Sequence, residues 1–506
     1  VNRLIALLLL AATLVPAGAT FAADATATKT EKAAEKPVEQ TSVTHHTARI
    51  DGHTIRYTAT AGTLFLRDDK GQPTASIFYV AYTRDGVDNT DKRPITFAFN
   101  GGPGSSAVWL QMGALGPRRV SFKDGIQPPA APYKLEDNAY SILDKTDIVF
   151  IDPVGTGYSR ALGDAKPKDF QGVEEDVKSV GEFVRLYTTR AKRWNSPKYL
   201  AGESYGTTRA AALVNYMQAN KGMYFNGVIL ISSILNFETA SFETGNDLAY
   251  ITYLPTYAAT AWYHKAIQPR PKDLEAFLQQ ARDFAAGEYA QALMKGSKLG
   301  DAERNAVAEK LAHFTGLSAD YIKKSNLRVN IFRFTKELLR DQRRTVGRLD
   351  SRYLGIDHDA AGEMFEHDPS YTAIMGPYTA VMNKYLHGEL KFDENREYEI
   401  LSGKVNRNWN WEVKGHRGYV NVAEDLRKAM STNTHLQLFV ANGYYDLATP
   451  FFATEYTMDH LGLEPSLRDH ITLTYYPSGH MVYLNEPSLA QLKKNIAAFI
   501  DRSDNL

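Results

Sequence analysis

The rhythm of apolar and polar positions changes along this chain. From Thr44 to Asp85 they alternate in short runs, such as HTIRYTATAGTLFLRDD and PTASIFYVAYTRDG, broken by glycine-containing turns. A period of two is the mark of half-buried antiparallel strands, so a β-meander is expected there. Beyond it, unbroken apolar runs stand at Ile95–Phe99, Ile148–Ile151, Tyr199–Ala201, Val228–Ile231, Leu436–Val440 and Ile471–Tyr475. Strands that are apolar throughout belong inside a parallel sheet, covered on both faces. Helical stripes follow several of them. Val173, Val177, Val180, Phe183 and Val184 share one face; Leu489, Leu492, Ile496 and Phe499 share another. Strand followed by helix, repeated, predicts an α/β fold with a mainly parallel central sheet.

One connection breaks the repeat. A parallel crossover takes about a dozen residues, yet residues 235–434 intervene before the sheet resumes at Leu436. Helix-like segments lie at Pro271–Lys295, Asp301–Thr315 and Ile331–Arg344. The stretch reads either as a separate domain or as a large, mostly helical inserted cap; resumption of the sheet favours the cap. The expected organisation is a core from residues 43–234 and 435–506, with the cap between them.

At the N-terminus Arg3 precedes the apolar run Leu4–Val15, followed by Pro16 and the small residues Ala17, Gly18, Ala19, Ala22 and Ala23. A basic start, a short apolar stretch and a small-residue end are the parts of a secretory signal, expected over residues 1–23. The run is shorter than the ~20 residues a membrane span needs, and no later segment is long and apolar enough. Residues 24–42 carry no large apolar side chain except Val38 and are expected to be a flexible leader. The chain is therefore expected to be exported, to a periplasm or the exterior.

Composition narrows the chemistry. With 58 basic and 58 acidic residues, the charge balance argues against a nucleic-acid partner. At 43% apolar and 23% charged the chain is ordinary globular protein. It has no cysteine, which excludes disulfides, thiol nucleophiles and thiolate metal sites together. No helix-spaced His/Glu ligand set is visible, so no metal or cofactor is expected. Nothing in the sequence bears on oligomeric state.

The reactive candidates lie at strand ends. Tyr199-Leu200-Ala201-Gly202-Glu203-Ser204-Tyr205-Gly206 puts a G-x-S-x-G pentapeptide after a buried strand and before the expected helix Thr207–Gln218. That context suits a serine held on a sharp turn with its hydroxyl exposed. A serine nucleophile needs a base, and the base an orienting carboxylate. After the strand ending at Val440 comes Asp446; Thr449-Pro450 looks like an N-cap with proline at the first helical position, leaving Asp446 free. After the last strand comes His480, which completes the order Ser, Asp, His of α/β hydrolases. Strand Ile95–Phe99 ends in Asn100-Gly101-Gly102-Pro103-Gly104-Ser105-Ser106. This loop reads as an oxyanion-hole donor, with Gly102 as the amide and Tyr205 as the second, or as a plain turn; without a Walker lysine it is a poor phosphate loop. Trp409 and Trp411 read as pocket lining or as core, with packing the commoner use of paired tryptophans.

NGGPGSS at 100–106, DPVGTGYS at 152–159, GESYG at 202–206 and GHMV at 479–482 together resemble the serine carboxypeptidase family, the clan of carboxypeptidase C and cathepsin A. The resemblance spans roughly residues 95–490 and implies an α/β-hydrolase fold and a peptide substrate. It implies a triad of Ser204, Asp446 and His480, with the Gly102 and Tyr205 amides as the oxyanion hole. It further implies that Asn100, Gly101 and Glu203 grip the substrate's C-terminal carboxylate, which requires a protonated Glu203. Two departures stand out: Ala114 occupies the position of the family's second glutamate, and Ser105 that of its usual cysteine. The reading is a secreted serine carboxypeptidase. An esterase or aminopeptidase of the same fold is the alternative, and a non-catalytic binding protein a third.

Overall fold

The computed structural model describes residues 37–122, 129–413 and 418–504. The expected signal at 1–23, and the leader as far as residue 36, lie outside the described residues. Contacts begin before Val43. The Gln40 amide donates to Thr63 Oγ1 at 2.8 Å, and the Glu39 carboxylate accepts the Phe65 amide at 2.8 Å and pairs with Arg190 at 2.7 Å.

The meander forms as three long strands: β1 (Thr41–Ile50), β2 (His53–Arg67) and β3 (Pro73–Arg84). The same sheet continues through β4 (Ile95–Phe99), β5 (Asp147–Ile151), β6 (Lys198–Ser204), β7 (Gly227–Ser233), β8 (Gln437–Gly443) and β9 (Ile471–Tyr476). The sheet order is β1-β2-β3-β5-β4-β6-β7-β8-β9, and the short strand Arg160–Ala161 pairs with β3. Pairing is antiparallel from β1 to β5 and parallel from there to β9. β4 coincides with its apolar run. β6 instead runs on through the polar Gly202-Glu203-Ser204, because Ile231 and Ser233 of β7 still pair with Glu203 and Ser204. Ladder bonds are made by backbone, so the last apolar residue does not mark a strand's end.

Helices cover both faces. α1 (Val173–Arg190), α2 (Tyr205–Lys221) and α7 (Ala423–Thr432) lie on one side; α6 (Pro369–Gly388) and α9 (Glu486–Asp504) lie on the other. Both expected stripes are buried: Val177, Val180 and Phe183 in one core, Leu489, Ile496 and Phe499 in the other. Each such side chain taken from water is worth roughly 1.5–3 kcal/mol.

Residues 235–434 do three different things. α3 (Leu248–Tyr263), α4 (Leu274–Phe284) and α5 (Asp301–Thr315) build a third core, where Tyr257, Phe277, Phe314 and Phe334 meet Tyr445, Leu447 and Phe451 from beside β8. α6 packs into the core on one sheet face, with Tyr378 against Trp109 at 4.9 Å. α7 packs Leu426 and Met430 onto the other and then leads into β8, which makes it an ordinary crossover helix. Among the described residues, no helix is long and apolar enough to cross a membrane.

Candidate active site

The parallel strands deliver the candidate residues to one edge. β4 ends just before Asn100, β6 at Ser204, β8 just before Asp446 and β9 just before His480. In open α/β sheets, the crevice beyond the carboxyl ends of the strands is where ligands bind.

Ser204 sits at φ 60°, ψ −130°, between β6 and α2. A serine at positive φ is strained, and the chain reverses there from strand to helix. The turn is held by Thr207, whose hydroxyl donates to the Ser204 carbonyl at 2.6 Å. α2 begins at Tyr205 rather than Thr207, so the Tyr205 amide is a first-turn donor with no partner inside the helix. The Gly102 amide likewise makes no backbone bond among the described residues. The Ser204 hydroxyl makes no hydrogen bond among the described residues, to His480 or to any other group.

His480 Nδ1 bonds Asp446 Oδ2 at 2.8 Å, with the residues 5% and 0% exposed. Burial disfavours the imidazolium, but the Asp446 charge and hydrogen bond outweigh it and raise the pKa of His480; Arg348 opposes them. Asp446 caps no described helix, but not because Thr449 does. Its Oδ1 accepts the amides of Ala448 (2.7 Å) and Thr449 (3.0 Å), and Oδ2 accepts the Thr449 hydroxyl at 2.6 Å. The helix N-cap is Pro450, not Thr449, and α8 (Phe451–Asp459) starts one residue later than the Thr-Pro pair suggests. Thr449 is turned inward instead and lies 3.2 Å from His480 Nδ1.

The histidine backbone is clamped as well. Its amide donates to the Leu349 carbonyl at 2.6 Å, and its carbonyl accepts the Ser232 hydroxyl at 2.5 Å. The Arg348 carbonyl accepts the Leu447 amide at 3.0 Å. The Arg348–Leu349 segment thus ties the aspartate loop to the histidine loop. Arg352, in turn, pairs with Asp350 at 2.6 Å and donates to the Pro477 carbonyl at 2.8 Å. Thr449, Ser232 and this segment carry no motif, and sequence reasoning missed all three.

Asn100, Gly101 and Glu203 form the other wall. Asn100 Oδ1 accepts the Leu110 amide at 3.0 Å, which aims Nδ2 at Glu203 Oε1, 2.9 Å away. The buried Arg209–Asp176 pair holds this wall from behind, with Arg209 donating to the Asn100 carbonyl at 2.6 Å. The DPVGTGYS motif supports the loop too: Asp152 Oδ1 accepts the Ala107 amide at 2.8 Å. Glu203 is 3% exposed, and burial, helped by the Asp446 charge, pushes its pKa up to about 7 against the pull of His480, Tyr483 and Asn100. Ala114 is buried; among the described residues no carboxylate is hydrogen-bonded to Glu203, and the phenols Tyr483 and Tyr378 lie near it.

Trp409 and Trp411 divide between the two readings. Trp409 is 7% exposed and packs on Tyr205 at 5.3 Å; Trp411 is 40% exposed and lies against Phe237 at 5.1 Å. The packing expectation holds for the first and fails for the second.

The two walls meet at Gly101. A Cβ there would lie 2.4 Å from the Tyr205 nitrogen, 2.7 Å from the Gly206 nitrogen and 2.8 Å from the Glu203 carbonyl oxygen. All three are backbone atoms with no room to yield. Gly101→Ala is expected to cost about 2 kcal/mol or more of stability and to lower kcat/KM by about 100-fold through displacement of the serine turn. Thermal melting and steady-state rates check both parts.

The sheet order and the strand-end serine, aspartate and histidine define an α/β-hydrolase fold. Comparison with known proteins carries this further. The family description "serine carboxypeptidase", peptidase family S10, matches residues 57–492, and the chain belongs to that family. A Caenorhabditis elegans serine carboxypeptidase is 31% identical over 121 residues, a match covering 23% of this chain and 19% of that protein's length. Among solved structures, the prohormone-processing carboxypeptidase Kex1(delta)p from Saccharomyces cerevisiae superposes with a TM-score of 0.56. It is 16% identical, and the alignment covers 88% of this chain and 92% of that one.

Proposed function

We propose that the protein is an exported serine carboxypeptidase that removes C-terminal residues from peptides through an acyl-enzyme on Ser204. His480 Nε2 takes the Ser204 proton as Oγ attacks the last peptide carbonyl. The Gly102 and Tyr205 amides receive the oxyanion. The intermediate collapses as His480 returns the proton to the departing amine, and the last amino acid leaves. Water, activated by the same histidine, then attacks the ester, and the peptide departs one residue shorter. Asp446 keeps the proton of Nδ1 in place throughout and stabilises the imidazolium.

The observation that carries this reading is Glu203, buried next to the serine with its pKa raised to about 7 by burial. A charged glutamate would repel a terminal carboxylate; a protonated one donates to it. Below pH 7 Glu203 can bind with Asn100 and the Gly101 amide; above pH 7 it loses its proton and binding weakens. KM for free-acid peptides is therefore expected to rise above pH 7, by at most about tenfold per pH unit for one titrating group. Glu203→Gln, which donates at every pH, is expected to remove that rise. Mass spectrometry of an unblocked peptide during digestion tests the reaction itself. Stepwise loss from the C-terminus is expected; loss from the N-terminus or internal cleavage contradicts the proposal.

A further inference from the structure

Two buried polar atoms at the site, Glu203 Oε2 and the Tyr483 hydroxyl, have no hydrogen-bond partner among the described residues. Leaving a buried donor or acceptor unpaired costs about 1–3 kcal/mol, so native proteins rarely do so without a use for it. The two groups act on one another directly, but no well-directed bond joins them. Tyr483 lies in the turn Val482–Leu484 that follows His480, so the segment carrying the histidine also places its ring. Room for the ring comes from Gly113: a Cβ there would lie 2.4 Å from Tyr483 Cε2 and 2.5 Å from the Tyr378 hydroxyl. Burial and the nearby Glu203 hold the phenol far above its ordinary pKa, so it keeps its proton wherever the protein is folded.

Resting on the carboxypeptidase reading above, we infer that Tyr483 is a substrate-binding residue. Its O–H and the carboxyl O–H of Glu203 are two donors set for the two oxygens of a peptide's terminal carboxylate. Two donors side by side cannot satisfy one another as well as both can satisfy an acceptor pair. A carboxylate accepts from both, whereas a C-terminal amide presents a single acceptor, so one of the two O–H groups loses its acceptor and has to turn a lone pair toward the NH2 instead. The pair therefore reads the free C-terminus by its acceptors, with no cation.

Tyr483→Phe in the full chain removes only the hydroxyl. Its rates are to be measured on an N-blocked dipeptide, on that dipeptide's C-terminal amide, and on p-nitrophenyl acetate, which has no carboxylate. KM for the free acid is expected to rise about tenfold, with kcat within about twofold and ester turnover unchanged. Acid-over-amide preference is expected to fall by the same factor. A loss of kcat and ester turnover together assigns Tyr483 to structure and overturns the inference. A wild type that demands the free acid, with Tyr483→Phe unchanged from it, overturns the role of Tyr483 alone. A wild type indifferent to amidation overturns the carboxypeptidase reading itself.

Discussion

Ser204→Ala is expected to lower kcat for peptide hydrolysis by about a million-fold, to the residual rate that positioning and oxyanion donors sustain without a nucleophile. The expectation follows from the turn. Ser204 holds φ 60°, and alanine is no more strained there than serine, so the variant keeps the fold. The Thr207 hydroxyl bonds the backbone carbonyl of residue 204, and Glu203 pairs with Ile231 through backbone, so both survive the change. Loss of activity without loss of melting temperature isolates the hydroxyl. Covalent labelling by a fluorophosphonate should vanish in the same variant. Hydrolysis above about one per cent of wild type would place the nucleophile elsewhere.

Asp446→Asn is the second large effect, a fall of about 10⁴ in kcat with the fold intact. Here the structure dictates which way the amide turns. Oδ1 accepts the Ala448 and Thr449 amides, so the asparagine oxygen must stay on that side. Its NH2 then faces His480 Nδ1, where the carboxylate accepted at 2.8 Å. Nδ1 becomes an acceptor, the proton moves to Nε2, and the nitrogen that should take the serine proton already carries one. Thr449 accentuates this, since its hydroxyl loses the carboxylate oxygen it bonded at 2.6 Å. A fall of less than about 100-fold would mean that Asp446 does not set the tautomer.

The strands were legible because burial on both faces leaves a continuous apolar run, and the helices on them because one face leaves a stripe. The strand-to-helix turn at Ser204 was legible from glycine spacing, and the strand-end positions of Asp446 and His480 from the apolar runs before them. Other features were not legible, for reasons of the same kind. Thr449-Pro450 resembles a helix start in sequence, and only the fold shows the hydroxyl bonded to Asp446 instead of the helix. Leu349 holds the His480 amide through a carbonyl, a group every residue has. The division of residues 235–434 between a third core, one sheet face and a crossover helix depends on which apolar stripe meets which, and composition does not encode that. At Ala114 the sequence shows a missing carboxylate; the phenol of Tyr483 beside Glu203 becomes visible only when the turn after His480 folds against Gly113.

A serine hydrolase site that reads a free C-terminus must distinguish an acid from its amide. The most direct measurement is the ratio of kcat/KM for an N-blocked dipeptide to that for its C-terminal amide, taken below pH 7 where Glu203 holds its proton. Sites built to hydrogen-bond one group reject analogues that cannot take part, so a preference of roughly 100-fold or more for the free acid is expected. Equal hydrolysis of the acid and the amide would contradict it.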